Sequence, residues 1–197
     1  MNGFEKRALR IKEKIRATTL EMMRISDPAG MRIADIAKNA GVSQVTIYNY
    51  FGSKEALVRD VFKGYIDQAV AEFEAFLNDG HTVKEKIAHI LSLEKTTYHD
   101  FPPGMIRQLV GQDPELRDYI DMLYKERAIP LTVRIIEEGK ASGEISAAVS
   151  VESVLTMMRL YMGQYETLLE IAQASDHMDE LLEGLVHLFF YGICGKP

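Results

Sequence analysis

The chain is 197 residues long, with 47 % hydrophobic and 26 % charged residues, the balance of a globular protein with room for one large or two small domains. Its most apolar run, Leu185 to Cys194, is interrupted by His187 and too short to span a bilayer. The one cysteine, Cys194, excludes an internal disulfide and suits a reducing cytoplasm. A net charge of −6 argues against a nucleic-acid binder, but the charge is divided: residues 1–54 carry ten Lys/Arg against five Asp/Glu, and the remainder thirteen against twenty-four. A basic module joined to an acidic one is what attraction to phosphate at one end needs.

Residues 4–25, which open with Glu5, Lys6, Arg7 and Arg10, read as an amphipathic helix rather than a signal peptide, with Ala8, Ile11, Ile15, Thr19 and Met22 in one stripe. Asp27-Pro28-Ala29-Gly30 is a turn by composition. Beyond it, Ile33, Ile36, Ala37 and Ala40 stand at helical spacing, and Gly41 follows where a helix ends in the left-handed conformation. Val42 is a buried turn residue by type, and Ser43 is an N-cap for a second short helix over about 44–51. Ile47 and Phe51 share its inward face. Gln44, Val45, Thr46, Tyr48, Asn49 and Tyr50 occupy the others. The pattern over about 32–51 is a helix-turn-helix, whose second helix can enter the major groove of DNA. An ordinary helical hairpin with a solvated face would more usually carry Glu and Lys there.

The runs Ile33-Ala-Asp-Ile-Ala37, Val42-Ser43, Thr46-Ile-Tyr48, Tyr50-Phe51 and Ser53-Lys54-Glu55-x-Leu57 resemble the DNA-binding signature of TetR-type transcriptional regulators. The resemblance covers roughly residues 10–60. It implies DNA contacts at Gln44, Thr46, Tyr48, Tyr50 and Lys54. Chemistry assigns finer roles. Gln44 and Val45, in the first turn, suit an adenine edge and a thymine methyl. The hydroxyls of Ser43, Thr46, Tyr48 and Tyr50 suit phosphates, as do Lys54 and Arg32, while Asn49 could meet base or backbone. Arg16 departs from the pattern, which more usually has an aliphatic residue there; the departure concerns packing.

Gly52-Ser53 leads into a long fourth helix capped by Ser53, with Leu57, Val61, Tyr65, Ala69, Phe73 and Phe76 recurring to Leu77. Asn78-Asp79-Gly80 ends it. A fifth helix over 82–99 turns Val83, Ile87, Ile90 and Leu91 inward, and Phe101-Pro102-Pro103-Gly104 stops it. A short helix over 105–110 follows. Asp113 caps a long segment reaching Ala141, with Leu116, Ile120, Leu123, Ile135 and Ile136 as core, kinked or split at Pro130. After a loop over 144–150, two helices are expected at about 151–173 and 176–194. The last is apolar on more than one side, which fits either a central buried helix in a monomer or a subunit contact. The resemblance implies the second, a homodimer closed by the last two helices.

No phosphate loop, nucleophile elbow or HExxH motif is present, and the five histidines have no Cys or His at ligand spacing. The expectation is therefore no enzyme, no cofactor and no metal, with Glu137-Glu138 and Asp179-Glu180 as solvated faces. The fold class expected is all-α, about nine helices, with a DNA-binding domain at 1–55 and a larger effector-binding and dimerisation domain at 56–197. The resemblance implies an effector site in the second domain; Tyr98, Met105, Met122, Met158, Tyr161, Met162 and Tyr165 are its candidate residues, because Met and Tyr line adaptable apolar pockets. The domain's acidity favours a small apolar, neutral or cationic effector. The functional expectation is a soluble, cytoplasmic regulator, no membrane protein, released from a palindromic operator by that effector. The alternative is a DNA-binding dimer without one, architectural or governed by a protein partner.

Overall fold

The computed structural model describes residues 2–101 and 103–164 and some positions between 167 and 188. All the regular structure among them is helical: α1 (Gly3–Ile25), α2 (Ile33–Ala40), α3 (Gln44–Phe51), α4 (Lys54–Leu77), α5 (Val83–Asp100), α6 (Pro103–Gln112), α7 (Pro114–Leu123), a π-helical segment (Tyr124–Ala128), α8 (Ile129–Ser142) and α9 (Val151–Gly163). They group into two compact units. The first holds Met1–Ala75 with Ile90–Ile120, and the second Phe76–His89 with the residues from Asp121 on.

In the first unit the helix starts are chemically specified. Asn2 and Glu5 exchange side-chain and backbone bonds at 2.9 Å, a capping box that begins α1. Ser53 Oγ accepts from the Ala56 amide at 3.0 Å and begins α4. The apolar stripes of α1–α4 then meet in one core, where Ile15, Met23, Ile36, Ile47 and Leu57 are fully buried. Burial of each such side chain is worth about 1.5–3 kcal/mol. In α1 the buried methionine is Met23, and Met22 is half-buried: with 3.6 residues per turn, the stripe through Ile15 and Thr19 drifts to Met23. Thr19 satisfies its buried hydroxyl on the Ile15 carbonyl at 2.8 Å.

The core of α1–α4 is completed from far along the chain. Phe101 and Leu116 are buried in it, and Met105, Ile106, Leu109 and Val110 of α6 pack against it. The Phe101 ring meets Phe62 and Tyr65 edge-on at 5.5 and 4.8 Å between centroids. Polar ties follow the same route. Arg59 of α4 donates to Asp113 at 2.6 Å and to Glu115 at 2.7 Å, while the other oxygen of Asp113 accepts the Leu116 amide and caps α7. Asp67 accepts from the Tyr119 hydroxyl, and the Lys63 ammonium stands 4.6 Å from the Tyr119 ring centre.

The long segment after Asp113 is divided into α7, the π-helical segment and α8. Pro130 has no N–H for the carbonyl four residues back, and its ring presses on that carbonyl. The turn widens instead, with the Ile129 amide bonding Tyr124, five residues back. The helix expected over 105–110 extends to 103–112. Of the two helices expected at 151–173 and 176–194, the first is described to Gly163; most of the remainder lies outside the described residues.

The second unit buries Leu77, Val83, Ile87, Ile135, Ile136, Ile145 and Val154. Phe76 is sandwiched between His81 and His89, with ring centroids at 3.8 and 4.0 Å. Glu138 corrects one expectation, because it does not simply face solvent. It accepts from Lys86 at 2.5 Å and Arg134 at 2.7 Å, and Lys86 is 4 % exposed. A buried ammonium needs a carboxylate, which a sequence pattern does not reveal. Those two bonds hold the Glu138 carboxyl below the usual glutamate range. Glu137 is exposed as expected.

Candidate nucleic-acid interface

The turn between α2 and α3 is built from three devices. Gly41 adopts φ +60°, and its amide closes α2 on the Ala37 and Lys38 carbonyls. Val42 packs against the core and its amide bonds the Ala37 carbonyl at 3.0 Å. Ser43 Oγ accepts from the Thr46 amide at 3.0 Å and starts α3. With Ile47 fully buried and Phe51 packed against the same core, α3 is anchored along one side. Gln44, Val45, Tyr48 and Asn49 are thereby exposed together, a surface of one amide pair, one isopropyl and one phenol with no charge.

The remaining expected DNA residues are placed as follows. Ser43 is exposed but its hydroxyl lies 2.8 Å from that of half-buried Thr46, so the two serve the start of α3. Tyr50 is half-buried against the core, with the Lys12 ammonium 5.5 Å from its ring centre. Arg32 is exposed and forks onto Asp35 at 2.8 and 3.3 Å; this hydrogen bond holds the Asp35 carboxyl below its usual range. Lys54 donates to the carbonyls of Pro28 and Ala29 at 3.2 and 3.0 Å, tying the α1–α2 turn to the start of α4. Arg16 forks onto Asp60 at 2.6 and 3.0 Å, so that α1 and α4 are joined by charge where an aliphatic residue is more usual. Neither Arg16–Asp60 nor Arg59–Asp113 has a signal in the sequence, since each pair is separated by more than forty residues.

Of the seven expected effector residues, three have described side chains. Met105 packs against the core of the first unit, whereas Met122 and Met158 belong to the second, exposed and half-buried. The side chains of Tyr98, Tyr161 and Met162, and the whole of Tyr165, lie outside the described residues. The second unit has an open cleft of about 380 Å³ lined by Leu77, His81, Lys86, Arg134, Glu138 and Glu144 among others, with none of the seven in its wall. No described helix is long and apolar enough to cross a membrane.

A capped helix-turn-helix that presents an uncharged, hydrogen-bonding helix face, on a chain whose described regular structure is all helical, has the geometry of the helix-turn-helix motifs that enter a DNA groove. Residues 15–61 match the bacterial regulatory proteins of the tetR family. A fatty acid metabolism regulator protein of Bacillus subtilis is 30 % identical over 130 residues, 64 % of this chain and 66 % of that one, so the chain spans just under two thirds of that relative. The crystal structure of the regulator FadR from Bacillus subtilis in complex with stearoyl-CoA superposes with a TM-score of 0.63 at 25 % identity, covering 92 % of this chain and 98 % of that one. A TetR-family regulator from Cytophaga hutchinsonii shares the fold, with a TM-score of 0.72 at 20 % identity over 97 % and 98 % of the two chains. Residues 15–61 thus carry the tetR-family match, on a chain similar in fold to solved TetR-type regulators.

Proposed function

We propose that the protein is a DNA-binding transcriptional repressor that leaves a palindromic operator when a small molecule binds. The observation that carries this reading is the exposed face of α3, with Gln44, Val45, Tyr48 and Asn49 held outward by the buried Ile47. Gln44 and Val45 read base edges. Arg32, Ser43, Thr46, Tyr48, Tyr50 and Lys54 meet the backbone, and Asn49 meets either. Functionally, residues 1–55 touch DNA and residues 56–197 hold the effector and the dimer contact.

A homodimer is supported by exposed apolar side chains late in the chain: Met157, Leu160, Ile171 and Leu188. Its two-fold axis places the recognition helices about 34 Å apart, one turn of DNA. The effector is mainly apolar, and the stearoyl-CoA complex of the Bacillus subtilis regulator makes a long-chain acyl thioester the first compound to test. Such a ligand is anionic at its head, unlike the neutral or cationic effector expected from the acidic composition.

The test is fluorescence anisotropy of operator DNA with and without stearoyl-CoA. A fall in DNA affinity that saturates with ligand supports release; a ligand that raises the melting temperature but leaves DNA affinity unchanged favours a DNA-binding dimer without effector control.

A further inference from the structure

The geometry points to a second DNA-contacting element, a basic stripe on the first three turns of α1 that binds phosphates next to those reached from α3; it rests on the DNA-binding reading above. At about 100° per residue, Lys6, Arg7, Arg10 and Lys14 fall within about 100° of arc on α1. The core-facing residues Ile11, Ile15 and Thr19 leave the helix on another side. Residues 2–7, 9 and 10 are exposed, Phe4 at 81 % among them, and the first fully buried side chain is Ile15. The start of α1 therefore runs on beyond the core that anchors the rest of the helix. The capping box of Asn2 and Glu5 keeps this stretch helical without packing beneath it.

The stripe leads into the helix-turn-helix. Lys14 Nζ lies 3.3 Å from where a Cβ on Gly41 would stand, beside the turn that precedes α3. From the opposite edge of α1, Lys12 reaches over the Tyr50 ring of α3. Four other arginines of the unit are paired. Arg16, Arg24, Arg32 and Arg59 each hold a carboxylate, on Asp60, Asp100, Asp35 and Asp113. Lys6, Arg7, Arg10 and Lys14 hold none among the described residues, and Glu5 is engaged with the Asn2 amide. Four unpaired cations aligned with a recognition turn fit the phosphates of duplex DNA. These positions precede the family match at 15–61, which assigns them nothing.

The experiment compares wild type with K6Q/R7Q/R10Q on operator DNA over a range of salt concentrations. Each lost phosphate contact removes about 0.9 from the log–log salt slope, so the triple variant should be shallower by about 2–3 and bind tenfold or more weakly at low salt. The ratio of operator to random-sequence affinity should stay the same, because phosphate contacts carry no sequence information. The wild-type slope retained in the triple variant overturns the inference. Should the triple variant lose helicity, K6Q/R10Q applies the same test, with an expected loss of about 2 in slope. If wild type binds no DNA, the functional reading falls and the stripe with it. Wild-type binding with unchanged variant slopes removes the stripe alone.

Discussion

Breaking the clasp of Arg59 on Asp113 should destabilise the protein by an amount that can be worked from its geometry. The guanidinium makes two charge-assisted bonds, at 2.6 Å to Asp113 and 2.7 Å to Glu115. The Glu115 arm is 71 % exposed and contributes roughly 0–1 kcal/mol, while the Asp113 arm, with that side chain 16 % exposed, contributes about 1.5–3 kcal/mol. Arg59→Ala should therefore cost about 2 kcal/mol, or roughly 4–8 °C in Tm for a chain of this size. Asp113→Asn keeps an acceptor for the Leu116 amide and removes the charge, so a double-mutant cycle isolates the pair, with an expected coupling of about 1–2 kcal/mol. Burial pushes the Asp113 carboxyl up, but the hydrogen bond from Arg59 and the backbone amides of Leu116 and Glu115 outweigh it, and the net pKa is lowered. A group whose folded pKa is depressed gives stability that is complete above its unfolded pKa, about 4, and is lost as pH falls through the folded value. The coupling should accordingly be full at neutral pH and vanish in strong acid. Urea unfolding followed by far-UV circular dichroism measures it. A coupling below about 0.3 kcal/mol at neutral pH, or one that survives acid, would refute the reasoning.

Further outcomes follow from single positions. Gln44→Ala should lose about 1–3 kcal/mol on the preferred site and nothing on random DNA, as read by anisotropy on both. Lys54→Ala should lower the melting temperature, because it frees the Pro28 and Ala29 carbonyls, and should also weaken binding to every sequence, with about one unit less salt slope. Gly139→Ala places a Cβ 2.7 Å from side-chain carbons of Ile145 and Val83 and should cost about 1–3 kcal/mol of unfolding free energy. Gly64→Ala, in the exposed middle of α4 with nothing within 4 Å of the new Cβ, should stabilise by roughly 0.5–1 kcal/mol by the same assay.

What was legible before the structure was local. Gly41, Ser43 and Ser53 mark helix ends through bonds made within five residues, and Ile33, Ile36, Ala37, Ala40 and Ile47 declare their faces by spacing alone. The all-helical fold and the helix-turn-helix therefore follow from pattern. Long-range partners do not: Phe101 and Leu116 read as ordinary apolar residues, and only the structure puts them under α1–α4. Glu138 reads as a solvated face, yet it receives the buried Lys86 ammonium from 52 residues away. For Lys54 the charge at a helix start suits phosphate, and the structure adds a second role as a tie to the α1–α2 turn. Its two carbonyl acceptors lie in a turn whose path no periodicity specifies. Which Met and Tyr residues line a pocket is not legible from spacing, since a cavity is a property of packing among several helices rather than of any one.

The central claim, that α3 reads DNA as one half of a symmetric pair, is tested most directly by selecting bound duplexes from a random pool with wild type and Gln44→Ala side by side. Wild type should enrich an inverted repeat with half-sites about one helical turn apart. Gln44→Ala should enrich the same repeat with one position in each half-site relaxed. A pool that shows no enriched sequence, or an identical enrichment from both proteins, would contradict the account.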